Sequence, residues 1–137
     1  MNKRIFFFLL ICVAALVYGY YMYNKPPEKV TDLKAIDDLS AKELYLAFDQ
    51  NEEAAMAKYQ EKAISVHGVI DSILTNESGG LIIMLSTEGE MGSIQCELDS
   101  SSKPVSENLK KGDEITIKGI CSGKLIDVVL NRCVVIK

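Results

Sequence analysis

The chain divides by the spacing of its apolar positions. Residues 5–23, IFFFLLICVAALVYGYYMY, form a continuous apolar run without a charged side chain. As a helix at 1.5 Å per residue this run reaches roughly 28 Å, close to the ~30 Å hydrocarbon core of a bilayer. Tyr18, Tyr20, Tyr21 and Tyr23 gather at its far end, where phenol rings suit the headgroup interface. Lys3 and Arg4 favour a cytoplasmic N-terminus, although Lys25 and Lys29 weaken the asymmetry. A cleaved signal peptide is the competing reading, with Val17-Tyr18-Gly19 as its small-residue site. Bulky Ile11 before Cys12 does not make a lipoprotein box. Both readings place the rest of the chain outside the cytoplasm.

Residues 24–39 are polar, contain two prolines and show no sustained period, which predicts a linker. At Ser40 the period becomes helical. Ser40 and Glu43 have capping-box spacing, and Leu44, Ala47 and Phe48 share a face. A second helical stretch runs through NEEAAMAKYQEK, with Asn51 as the break. From Ala63 the pattern alternates. Strands are expected over 63–73, 81–86, 93–98, 114–121 and 126–137, with turns at TNESGG, TEGEMG and SGKL. The long loop 99–113 holds one expected helical turn near Val105 to Leu109. Gly68 and Gly119 fall inside strands, where a glycine permits a bend or a close approach. Gly112 and Asp113 make a turn into the fourth strand.

Five strands with a helical piece between the third and fourth match the order of an OB-fold barrel. The expected fold is mainly β: a five-stranded OB-fold barrel preceded by one or two short helices and an N-terminal transmembrane helix. The expected division is an anchor or uncleaved signal over 1–23, a linker over 24–39, and a helical prefix plus barrel over 40–137. A chain of 137 residues holds one such core and an anchor, not two cores.

The stretches NEEAAMAKYQEKAISVHGVI, SIQCEL and LKKGDEITIKGICSGKLIDVVLNRCVVIK resemble the tRNA-anti-like family, small bacterial OB-fold proteins with an N-terminal membrane segment. The resemblance covers most of residues 40–137. It implies the fold, brings no settled biochemical role with it, and transfers no catalytic residue. The family takes its name from the barrel of tRNA-anticodon-binding domains, so binding of single-stranded nucleic acid is the alternative function it implies.

Charge weighs against that alternative. The chain has 15 basic and 19 acidic residues. Lys3 and Arg4 belong to the first 23 residues, which leaves 13 basic against 19 acidic, net −6, for the remainder. Nucleic-acid affinity rests on Lys and Arg displacing counterions and on aromatic stacking platforms. From Gln60 onward there is no Phe, Tyr or Trp. The candidate basic patch is Lys110, Lys111, Lys118, Lys124 and Arg132, and its alternative is a solvated barrel face. Nucleic acid is therefore disfavoured as a partner, and an unknown protein or small ligand is expected, with membrane contact through Ile5–Tyr23.

No catalytic, metal or cofactor site is expected. His67 is the sole histidine, and no His, Cys or Asp cluster has ligand spacing. No nucleophile motif and no C-x-x-C motif is present. Cys96, Cys121 and Cys133 fall in the third, fourth and fifth barrel strands. The third strand of this topology lies beside the fifth, so Cys96 and Cys133 are the candidate disulfide, with three buried thiols as the alternative.

Overall fold

A computed structural model describes residues 2–136, apart from the side chains at 103 and 104. Helix α1 (Lys3–Asn24) is the apolar run, and none of its residues is buried. It is long and apolar enough to cross a membrane, a property that a signal sequence shares.

Strand β1 (Asp38–Ser40) leads into α2 (Ala41–Gln50), and α3 (Glu52–Tyr59) follows directly. The capping box forms: Glu43 N donates to Ser40 Oγ at 3.1 Å, and Ser40 N donates to Glu43 Oε2 at 2.8 Å. Asn51 separates the helices because its extended backbone ends α2 while its side chain caps α3, accepting from Ala54 N at 3.0 Å. The helices bury Ala41, Leu44, Tyr45, Phe48, Ala55 and Tyr59 against the barrel.

Five strands close the barrel: β2 (Ala63–Thr75), β3 (Leu81–Leu85), β4 (Ile94–Leu98), β5 (Glu114–Lys124) and β6 (Val128–Val135). The order is β1-β2-β3-β4-β6-β5, and pairing of β2 with β5 completes the circle. All barrel pairs are antiparallel except β4–β6, which run parallel. Alternation fills the interior with Ile64, Val66, Ile70, Ile83, Leu85, Ile94, Ile117 and Leu130. The architecture is the expected closed five-stranded barrel with helices in front of it.

Local structure departs from the sequence pattern at three places. Residues 29–40 lie on the barrel: Val30 is buried, and β1 pairs in parallel with β2 at Ser65, Val66 and His67. The hairpin turn falls at 125–127 rather than 122–125. Gly123, with φ +123°, makes a bulge inside β5, and Asp127 is tied to Ser93, which sets the turn later. The helical turn in the long loop spans a 3₁₀ turn at Ser100–Ser102 and α4 (Lys103–Ser106), upstream of 105–109. Asp99 starts it by accepting from Ser101 N and Ser101 Oγ at 2.9 and 2.8 Å.

Candidate ligand face of the barrel

OB barrels hold oligonucleotides and oligosaccharides on their second and third strands, flanked by the loops after the first and fourth strands. Here those strands are β3 and β4. Their inward residues fill the core, so Ile82, Met84, Gln95 and Glu97 face outward. The loop after β2 closes through Asn76, whose Oδ1 accepts from Gly80 N at 2.6 Å and whose Nδ2 donates to Glu97 Oε1 at 3.0 Å. The loop after β5 carries Leu125 and Ile126, 90% and 79% exposed.

The β3–β4 connection joins this loop. Ser93 donates from N and from Oγ to Asp127 Oδ1 at 2.7 and 2.9 Å, and Val128 N donates to Ser93 O at 3.1 Å. Thr87 Oγ1 donates to Gly92 O. Gly92 sits on the Tyr45 ring and against the Ile126 carbonyl, a space with no room for a Cβ. Beside Gly92, Met91 is 99% exposed. The result is an apolar rim of Met91, Leu125 and Ile126 held on a stitched pair of loops. A cleft of about 290 Å³ opens next to it, lined by Asp71, Glu90, Met91, Ser93 and Asp127.

The five candidate basic residues do not gather on this face. Lys111 pairs with Asp71 at 3.5 Å, both side chains mostly exposed. Lys110 lies in the same turn, its N–H donating to Asp113 Oδ2 at 2.8 Å, and Gly112 there has φ +93°. Lys118 donates from Nζ to the carbonyls of Thr31 and Leu33 at 2.9 and 2.8 Å. Arg132 donates from Nη2 to the Glu28 carbonyl at 2.5 Å. These two cations fasten residues 28–33 to the barrel. Lys124, at the far end of β5 from Lys111, pairs with Asp49 at 2.9 Å and lies 4.5 Å from the Tyr45 ring centre. Asp49 beside it holds the ammonium pKa above the ordinary lysine value.

His67 places Nδ1 3.6 Å from Asp38 Oδ1 and is half exposed. It lines a cleft of about 270 Å³ with Lys42, Glu88 and Glu114. Among the described residues no three His, Cys, Asp or Glu side chains cluster as metal ligands. Gly68 lies under α2, where an added Cβ would meet Ala41 Cβ at 3.1 Å. Gly119 lies against Cys133, whose sulfur would be 2.5 Å from a Cβ there. Cys96, Cys121 and Cys133 are buried thiols. Sequence reasoning missed the apolar rim, although Leu125-Ile126 at a hairpin tip was a legible signal: apolar pairs in a turn have no local reason to be there.

The class defined by this fold is a closed five-stranded OB barrel with a helical prefix. The profile of the tRNA_anti-like family matches residues 1–135, and the chain belongs to that family. No curated protein matches the chain. Among solved structures it is similar to a candidate nucleic acid-binding lipoprotein from Klebsiella pneumoniae, 19% identical, covering 83% of this chain and 100% of that one, with TM-score 0.61. Weaker likenesses are the Schizosaccharomyces pombe Stn1–Ten1 complex and an OBody bound to hen egg-white lysozyme. They are 16% and 14% identical, with TM-scores 0.44 and 0.46. They cover 55% and 58% of this chain, and 58% and 86% of theirs.

Proposed function

We propose that this chain is an extracytoplasmic interaction module, held at the cell membrane by α1, that takes an apolar segment of a protein partner on the face described above. One observation carries the reading. The loop after the fourth barrel strand, one of those that hold ligand in OB barrels, and the β3–β4 connection stitched to it here present Leu125, Ile126 and Met91 to solvent. Apolar side chains that stand out of a stitched, ordered loop pair gain free energy when a partner covers them, at about 25 cal/mol per Å². The rim around them is acidic: Asp71, Glu90 and Asp127 line the adjoining cleft, with Lys111 paired to Asp71 at 3.5 Å. Such a rim suits a segment that carries basic residues beside its apolar ones and repels a phosphate backbone.

The second reading is binding of single-stranded nucleic acid, which the name of the Klebsiella neighbour states for that protein. It requires a cationic groove. Lys118, Lys124 and Arg132 instead have carbonyl or carboxylate partners within the chain.

The test is a titration of the purified full chain, in detergent, at low and moderate salt. The probes are labelled single-stranded DNA and RNA, a peptide alternating Leu and Arg, and its Leu and Glu counterpart. Binding of the Leu–Arg peptide alone, lost in Ile126→Glu, is the expected result. Salt-sensitive binding of DNA or RNA at micromolar affinity would overturn it and establish the second reading.

A further inference from the structure

A cleft of about 490 Å³ opens between residues 27–31, the turn after β4 and strand β6. That volume lies in the range of small-molecule sites. The cleft shares no lining residue with the one beside Met91. Part of its wall is apolar: Val30 and Val134 are buried, and Val105 on α4 is 53% exposed. Part is charged, by Lys29, Arg132 and Asp99.

A bulge places the arginine there. On the parallel seam Cys96 faces Leu130 and Leu98 faces Cys133, so two steps along β4 match three along β6. The extra residue falls at Asn131–Arg132, and Arg132 has φ +53°. Leu130 and Cys133 both stay in the core. Strict alternation from Leu130 would send Arg132 inward, and the bulge re-aims it to the surface. A left-handed backbone is uncommon at an arginine, and such residues cluster where ligands bind. The bond from Nη2 to the Glu28 carbonyl uses one of five guanidinium N–H donors. Asp99 is fixed as well, because Ser101 N and Oγ both donate to its Oδ1. The Ser101 N–H is the largest influence holding the Asp99 pKa below the ordinary carboxylate value, so the group is an anion at neutral pH. The cleft also lies near the end of α1. Pro27 lines it, three residues beyond Asn24, which is at most roughly 11 Å of chain.

Two cations, one anion and an apolar wall are complementary to a zwitterionic phospholipid. We propose that this cleft takes the headgroup of a phosphatidylethanolamine-type lipid from the membrane that holds α1. The phosphodiester lies on Arg132 and Lys29, and the primary ammonium on Asp99. The glycerol and first acyl carbons lie on Val30, Val105 and Val134. A purely anionic headgroup has no cation for Asp99 and is disfavoured by it. The inference rests on the reading of α1 as an anchor for its supply of lipid. Carbonate extraction reads the anchor and a titration in detergent reads the cleft, so each can fail without the other.

The test titrates the isotope-labelled full chain in detergent and follows the amide resonances of Thr31, Ser101 and Arg132. The probes are dihexanoyl-phosphatidylethanolamine, dihexanoyl-phosphatidylglycerol and inorganic phosphate. The expected result is saturable shifts with the ethanolamine lipid, about tenfold weaker binding of the glycerol lipid, and weaker binding still of phosphate. Asp99→Asn keeps an acceptor for Ser101 and should bring the two lipids level. Val105→Glu, at an exposed position, should weaken both lipids. Three results would each overturn the proposal: no saturable shift at these amides, phosphate binding as tightly as the lipids, or a lipid preference that Asp99→Asn leaves unchanged.

Discussion

Gly119 and Cys133 share one small volume between β5 and β6. The opposing strand bulges there, and the Cys133 sulfur occupies the place that a side chain on residue 119 would take. Gly119→Val should therefore destabilise the barrel by ~1–3 kcal/mol, the usual penalty for overpacking a filled core, read as a lower denaturant midpoint. An unchanged midpoint would show that the seam yields to a side chain. Gly119→Val, Cys133→Ala should recover part of the loss, because the two sites are in contact and couple. At Gly112 the constraint is backbone rather than space: φ is +93°, and no atom lies within 4 Å of an added Cβ. Gly112→Ala should lower stability by about 1 kcal/mol through left-handed strain alone.

The elements in front of the barrel are fastened by a few polar contacts. Asp37 joins β1 to α3: its carboxylate accepts from Lys58 Nζ at 2.8 Å and from Tyr59 Oη at 3.2 Å. The Lys58 hydrogen bond is the largest influence holding the Asp37 pKa below the ordinary 3.8. A carboxylate whose folded pKa is depressed contributes stability that is present above its unfolded pKa and lost as pH falls through the folded value. Glu43 is shifted the same way by the Ser40 N–H. Melting temperature should therefore fall steeply below about pH 4. In Asp37→Asn the fall should be shallower, and the Tm at neutral pH lower. Identical acid limbs in the two proteins would remove Asp37 from this account. Ser40→Ala, which deletes one side of the capping box, should destabilise by about 1 kcal/mol, read from urea unfolding.

At the scale of the whole molecule, an exposed apolar helix and an acidic barrel are joined by a short segment that the barrel itself holds. Lys118 and Arg132 bind carbonyls of residues 28–33, only four residues beyond Asn24 at the end of α1. If α1 is an anchor, the barrel stands within roughly 15 Å of the bilayer, since four residues span at most ~3.6 Å each. The chain should then remain in the membrane fraction through salt and carbonate washes, and a protease added outside should reach the barrel. Release by carbonate would mean that α1 is cleaved or does not span. Lys118→Ala should leave the ligand face intact and loosen residues 28–33, seen as faster amide exchange in that segment alone.

Periodicity and spacing made much of this molecule legible. The apolar run of α1, the Ser40–Glu43 cap, the break at Asn51 and all five barrel strands follow from local rules, because each is written in consecutive residues. So was the neighbourhood of the third and fifth strands, since the strand order already implies it. What the sequence could not decide was anything that depends on residues far apart in the chain. β1 is three residues without a period, and it is a strand only because β2 offers an edge to it. The lysines and the arginine that read as one candidate patch are separated by the barrel's curvature, and three are drawn to partners on other elements. The exposed Met91, Leu125 and Ile126 come from two loops that tertiary contacts, Ser93–Asp127 among them, bring together. The inward turn of Cys133 depends on one extra residue in β6, a shift of register that alternation alone would have placed on the opposite face. Local order is set by backbone geometry and near neighbours. The surface that a partner meets is set by which distant residues the closed barrel makes adjacent.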